Sequence, residues 1–305
     1  MRYRIERRDD IVFTDTVREH HIELRAAPWD DASQHLHHLA IRADGASALA
    51  SHRDCFGNQV HRTAVLTAHK QVTLAMTAEV ETFLDNPFQL EPVPPARETV
   101  WISDSLRQAP RLWDFVLHRS PLTPDLSSEH IAGSADAEAT HRGMGPSWRT
   151  NTALLPQVQA AMAWIHDRFD VDPGPSGTSD SLDGLLGTRR GSDADLAHLL
   201  ISIIRGWAMP ARFVVGYLDG AYFDAEPDEP RRLPAEQSLH CWVEALIPGG
   251  GWRGFDPALG LLADASYIRL GVGRDARDLT AFRHSFKGKG TVESHTTALR
   301  VERLD

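Results

Sequence analysis

Up to about residue 95, apolar side chains recur at every second position. Tyr3 and Ile5, Ile11 and Phe13, Ile22 and Leu24, and Leu39 and Ile41 mark short alternating segments. That period belongs to half-buried strands. Val60 to Leu66 continues it, and Val72, Leu74, Met76, Ala78 and Val80 fall on one face of a longer run. Asp54-Cys55-Phe56-Gly57-Asn58 has turn chemistry. Short strands at this spacing predict a β-sandwich. Pro92-Val93-Pro94-Pro95 then reads as a linker.

Beyond the linker the period changes toward 3.6. Ser103 to Val116 and Thr150 to Phe169 predict helices, the second with Val158, Met162, Ile165 and Phe169 as its apolar stripe. A third helix carries Leu196, Leu199, Leu200 and Ile203 and ends near Gly206. Ser192 followed three residues later by Asp195 is a capping-box-like start. Asp193 therefore sits in or beside the first turn, where N–H groups favour a negative charge. Phe213 to Tyr217 reads as a strand, and Ala245 to Asp256 as a hairpin turning at Pro248-Gly249-Gly250-Gly251. Three stretches read as loops: 127–146, which is polar and poorly patterned, 172–183, and the acidic 219–236. The expected division is 1–95 for an N-terminal β-sandwich domain and 96–305 for an α+β core domain.

Two stretches carry candidate chemistry. Gly191-Ser192-Asp193-Ala194-Asp195-Leu196-Ala197-His198-Leu199 opens a buried helix, and Pro210-Ala211-Arg212-Phe213-Val214-Val215-Gly216-Tyr217 follows it. Downstream come Ser238-Leu239-His240-Cys241-Trp242-Val243-Glu244 and Gly251-Trp252-Arg253-Gly254-Phe255-Asp256-Pro257. This succession resembles the bacterial transglutaminase-like family, relatives of papain-type thiol enzymes. The strand-rich N-terminal region, down to its D-x-F-G-N turn, resembles the region that precedes the core in that family. The resemblance implies an α+β, papain-like core and a Cys-His-Asp triad. His240 and Asp256 match the last two triad members. The position of the nucleophilic cysteine is matched by Asp193, and the glutamine that usually follows it by Ala194. Trp242, Asp195 and His198 are candidate substrate-binding residues beside Asp193, His240 and Asp256 as the candidate catalytic set.

Three readings of Asp193 stay open: an acid that only stabilises a helix terminus, a general base for water, and a covalent nucleophile. Attack by a carboxylate on an amide must expel an amine and leave an anhydride, a steep uphill step that Cys and Ser enzymes avoid. A carboxylate does keep the charge pattern of a thiolate–imidazolium pair. With acids on both sides, His240 is expected to have a raised pKa. Phe255-Asp256-Pro257 is also a good turn signature, with Asp capping its own backbone. Cys241 follows His240 on a strand and so faces the other side. Asp195 and His198, three apart on the helix, are expected to share a structural hydrogen bond rather than a ligand.

Composition narrows the partners. The 305 residues hold 32 Lys and Arg against 42 Asp and Glu, for a formal charge of −10. That argues against nucleic acid or an anionic membrane as the main partner. No apolar run reaches transmembrane length, and the N-terminus lacks the apolar centre of a secretion signal. Two distant cysteines, Cys55 and Cys241, point to a reducing cytoplasm rather than a disulfide framework. The 16 histidines include His35, His37 and His38, read here as solvated surface; neither a metal nor a cofactor is expected. Two functions follow. One is an enzyme acting on amide, isopeptide or ester bonds without a thiol acyl-enzyme. The other is a catalytically inactive scaffold that binds a peptide or partner protein.

Overall fold

A computed structural model describes residues 1–126, 145–172, 180–221 and 238–304 of the chain. Its first element is one strand of 23 residues, β1 (Arg2–Leu24), where the alternation suggested several short ones. Alternation continues through the charged stretch because Arg7 and Asp9, both on the buried face, neutralise each other. Arg7 Nε and Nη2 each donate to an Asp9 carboxylate oxygen at 2.8 Å. Thr297 and His295 complete the Asp9 shell at 2.7 and 3.1 Å. A paired, hydrogen-bonded charge can occupy a core position that an isolated one cannot.

Four more strands follow: β2 (Gln34–Ala43), β3 (Ala50–Arg53), β4 (Gln59–Val65) and β5 (His69–Thr82). Along one edge β1 pairs antiparallel with β4 at Leu24↔His61 and then with β5 down to Arg2↔Glu81. Along its other edge it pairs with Phe282–Gly288 and then Val292–Arg303, the last strands of the chain. The result is one curled seven-stranded sheet centred on β1, a strand-rich N-terminal region. The final strands therefore join the N-terminal sheet although they follow the core in sequence. They occupy an edge of β1 that would otherwise present a row of unpaired backbone groups.

The linker prolines open the first helix, α1 (Pro95–Gln108), with Pro94 as N-cap; a six-residue 3₁₀ turn, Pro110–Phe115, follows. The helix expected at Ser103 thus begins eight residues earlier and breaks before Pro110, which cannot supply an interior N–H. Helix α2 (Leu154–His166) buries Val158, Met162 and Ile165 as its stripe requires. A two-residue parallel pair, β6 (Asp170–Val171) and β7 (Arg190–Gly191), brackets the short α3 (Asp183–Thr188). Then comes α4 (Asp193–Gly206), buried on every side from Asp193 to Arg205.

Helix α4 packs on a second, antiparallel sheet. Its strands are β8 (Ala211–Leu218), β9 (His240–Ile247), β10 (Gly251–Asp256), β11 (Leu261–Leu262) and β12 (Tyr267–Gly273), in the order β11-β10-β9-β8-β12. β13 (Phe282–Gly288) and β14 (Val292–Arg303) return to β1. The core is α+β, a central helix packed against an antiparallel sheet. Val243 and Ala245 join the α4 side of the sheet, while Val214, Trp242 and Tyr267 form a smaller cluster with Ala263 and Val272. The expected loops at 127–146 and 219–236 lie mainly outside the described residues, as does much of the one at 172–183.

The Arg7–Asp9 pair makes a stability prediction. Arg7→Met should lower unfolding free energy by about 3–5 kcal/mol, because it strands a buried carboxylate. Adding Asp9→Val should recover most of that loss. Chemical denaturation of both variants measures the two numbers; a single variant as stable as the parent would remove the pair from the core's energetics.

Candidate functional site

The site begins at the N-terminus of α4. Ser192 Oγ accepts from the Asp195 backbone N–H at 3.2 Å, and Asp195 Oδ2 accepts from the Ser192 N–H at 3.0 Å. The capping box is complete, and Ser192 Oγ also contacts Asp195 Oδ2 at 2.9 Å. A Cβ at Gly191 would lie 2.9 Å from Leu185 Cδ1 and 3.0 Å from Asp195 Oδ2, so a side chain there would crowd Leu185 and the capping carboxylate. The cap aims Asp193, the first helical residue, at the start of β9.

Asp193 Oδ2 accepts from His240 Nδ1 at 2.9 Å and from the Cys241 backbone N–H at 2.9 Å. Its Oδ1 accepts from the Ala194 N–H at 2.8 Å. On the other side of the ring, His240 Nε2 lies 2.6 Å from Asp256 Oδ2. Tyr267 Oη donates to the same oxygen at 2.9 Å. Asp256 Oδ1 accepts from the N–H groups of Ala258 and Leu259 at 2.9 and 3.1 Å. Asp256 therefore holds the ring and closes the turn after β10 at once, the two roles its sequence context allows.

Each ring nitrogen faces a carboxylate, so both need a proton and the ring is an imidazolium. Burial by itself pushes the His240 pKa down, but the charge of Asp256 and the ring's hydrogen bonds to both acids outweigh it and push the pKa up to about 10. Relative exposure is 2% for Asp193, 1% for His240 and 0% for Asp256. These three side chains are interior.

Trp242, two residues on along β9, stacks toward His240 with centroids 6.2 Å apart and planes at 27°. Tyr267 meets Trp242 edge-on at 5.2 Å. Gly216, the register partner of His240, makes room for that indole: a Cβ there would fall 2.3 Å from Trp242 Cη2. Asp195 and His198 lie elsewhere than beside the ring. The expected bond between them is absent, because Asp195 is taken by the cap and His198 Nε2 accepts from the Ala276 N–H at 3.1 Å. His198 stacks on Phe213 at 4.7 Å, and burial lowers its pKa to about 3. It is a neutral core residue. Cys241 is buried, and burial with the nearby acids raises its thiol well above the usual range.

Sequence reasoning missed Tyr267 and Gly216. An aromatic on a strand carries no sign that its hydroxyl reaches a carboxylate, and Gly216 is legible only once the Trp242 ring is placed. His35 and His37 bond Asp30 and Glu81 at 2.7 and 2.8 Å. Among the described residues no group of three or more His, Cys, Asp or Glu is arranged to hold a metal ion.

Comparison with known proteins defines the class. Residues 145–257 match the transglutaminase-like superfamily core, and residues 3–81 match the bacterial transglutaminase-like N-terminal region. The chain is a transglutaminase-like protein with both regions in the expected order. It is 26% identical over 273 residues to an uncharacterized protein of Mycobacterium leprae, covering 89% of this chain and 88% of that one. A protein-glutamine gamma-glutamyltransferase of Pseudomonas aeruginosa is 26% identical over 191 residues, which span 60% of this chain and 27% of that enzyme. A crystal structure of a candidate cysteine protease from Cytophaga hutchinsonii superposes with a TM-score of 0.64 at 19% identity, over 100% of this chain and 92% of the other. That likeness concerns the fold.

The raised pKa fixes a pH dependence. Folded His240 holds its proton up to about pH 10, whereas an unfolded histidine loses it near 6.5. The stabilisation is thus complete below pH 6.5 and declines as pH rises toward 10, where the folded state binds more protons than the unfolded one. Asp193→Asn should lower the His240 pKa and flatten the decline. NMR titration of the ring and unfolding midpoints at pH 6 and 9 measure both; an unshifted ring pKa would show that Asp193 does not hold the proton.

Proposed function

We propose that this chain is a transglutaminase-like scaffold whose acyl-transfer site has become an internal charge lock, and that it acts by binding a peptide or partner protein. The observation that carries the reading is the saturation of the site. Every oxygen of Asp193 and Asp256 already accepts a protein hydrogen bond, both His240 nitrogens are engaged, and the three residues are at most 2% exposed. A general base needs a lone pair within reach of a water or substrate, and a nucleophile needs an open approach. In this reading Asp193 stands where the family's cysteine would, and supplies the thiolate's charge without its reactivity. Cys241 does not replace it, since a thiol held protonated is a poor nucleophile.

The other reading, acid–base catalysis on amide, isopeptide or ester bonds, draws on His240. An imidazolium is a general acid when a leaving group can reach it. Both of its protons, however, already point at carboxylates. The acidic net charge favours protein or peptide partners over nucleic acid and anionic membrane. No described helix is long and apolar enough to cross a membrane. We place the protein in the cytoplasm, a compartment that suits two free cysteines.

The test is a hydrolysis and transamidation screen over amide, isopeptide and ester substrates, run on wild type and Asp193→Ala in parallel. Both should match the blank, while Asp193→Ala should lose about 1–3 kcal/mol of stability, because the His240 Nδ1–H and the Cys241 N–H lose their acceptor. Turnover by wild type that vanishes in the variant would instead establish an enzyme. A thiol-directed alkylating agent should modify the exposed Cys55 in the native protein and leave the buried Cys241 untouched. Mass spectrometry of the digest reports which cysteine carries the label; fast modification of Cys241 would contradict the burial argument.

A further inference from the structure

Near its end, β1 changes the face it buries. Glu19 takes a left-handed backbone conformation, with φ 47°, and the pairing with β13 slips there, between Arg18 and His21. Before the slip the odd positions are buried, from Tyr3 to Phe13 and again at Val17; after it His20, Ile22 and Leu24 are. A slip of one residue turns every later side chain over. It brings His20 to the inner face of the sheet, where the residue is fully buried.

There His20 meets two histidines from distant strands. Its Nδ1 lies 3.2 Å from Nε2 of His69, on β5, and its Nε2 lies 2.9 Å from Nδ1 of His284, on β13. Phe13 and Phe286 stand edge-on to the His20 ring at 5.3 and 5.9 Å. His69 Nδ1 donates to the Thr67 carbonyl at 2.9 Å. A carbonyl only accepts, so the tautomers of the neutral row follow in order. His69 Nε2 is bare and accepts from His20 Nδ1; His20 Nε2 is then bare and accepts from His284 Nδ1. The two contacts lie on opposite edges of His20, so the rings do not converge on one ion.

Three neutral rings carry three protons on six nitrogens. A fourth proton can enter with both contacts kept, because a bare nitrogen remains for each N···N gap. A fifth leaves one bare nitrogen for two gaps, and one gap must then hold two protons face to face. No carboxylate offsets that charge: among the described residues the histidines paired with acids are His35, His37, His240 and His295. The titratable neighbours of the row are His21 on β1 and His295 on β14, the latter bonded to Asp9. Glu23, Arg62 and Arg283 border the surface hollow beside His284, and β4 places the uncharged Val65 opposite His20. Burial, then His284, His69 and His21, push the His20 pKa down to about 4. Burial and His295 lower that of His284.

We propose that the His69–His20–His284 row is an acid-released latch that holds β13 against β1. It gives at His284, because β13 pairs only with β1 among the described residues, whereas β5, which carries His69, is bonded to both β1 and β2. A released histidine takes its proton near pH 6.5, and His20 in the row only near 4. Between those values the released state binds more protons, so it gains on the latched state as pH falls. The latch uses none of the three residues of the charge lock and stands apart from the scaffold reading.

Hydrogen exchange of the full chain at pH 7 and pH 4.5, corrected for the intrinsic rates, tests it. Protection of residues 282–288 should fall by at least about tenfold at pH 4.5, while that of α4 stays within about twofold. His284→Gln still offers an N–H to His20 Nε2 and cannot take a proton; in it the fall over 282–288 should be less than about threefold. NMR titration of the wild-type rings, which needs no variant, should show the three taking up one proton in all before 282–288 loses protection. Four results would overturn the proposal: 282–288 as protected at pH 4.5 as at pH 7, α4 opening by the same factor, His284→Gln opening as far as wild type, or two of the rings protonated while 282–288 stays protected.

Discussion

An imidazolium held between two buried carboxylates ties this core together. His240 starts β9, Asp193 starts α4 and Asp256 ends β10. The two hydrogen bonds of one ring therefore fix where a helix meets a sheet and where a hairpin closes. Both acids draw on backbone N–H groups as well, Asp193 from the helix start and from β9, Asp256 from the turn after β10. The ring keeps its proton because a carboxylate accepts from each of its nitrogens. Removing His240 leaves two facing carboxylates with no cation between them, whereas removing either acid leaves one ion pair and an orphaned ring N–H.

The lock was partly legible in the sequence because its members sit in locally recognisable contexts. Ser192 and Asp195 announce a helix start, and that start fixes the place of Asp193. Asp256 before Pro257 announces a turn, and the glycines at 249–251 announce the hairpin leading to it. What brought three distant residues into one site was the order of motifs rather than any spacing. The illegible parts are those set by partners far away in sequence. Arg7 and Asp9 look like a break in a strand until each is seen to neutralise the other. His198 looks available until its ring is found under Phe213, accepting from Ala276. Strands β13 and β14 follow the core in sequence and pair with β1 across the whole length of the chain. Local alternation gives a strand its period without giving it an address.

The same face of β9 holds a second charge cluster of opposite sense. At His240 a cation lies between two anions; at Glu244 an anion lies between two cations, Arg212 and Arg269. Successive residues of a strand rise about 3.3 Å, so the two clusters are about 13 Å apart along β9. Within each cluster the contacts are 2.5 to 2.9 Å. Coulomb energy falls inversely with distance, so at equal dielectric each local contact is about fivefold stronger than an interaction over the separation between clusters. The clusters are thus nearly independent. Trp242, which lies between them on the strand, borders both the histidine ring and a cavity above Glu244. A substitution at Glu244 should then act on the cavity and the fit of the N-terminal half over the sheet, while leaving the His240 proton in place. The protonated ring depends on Asp193 and Asp256, which outweigh its burial.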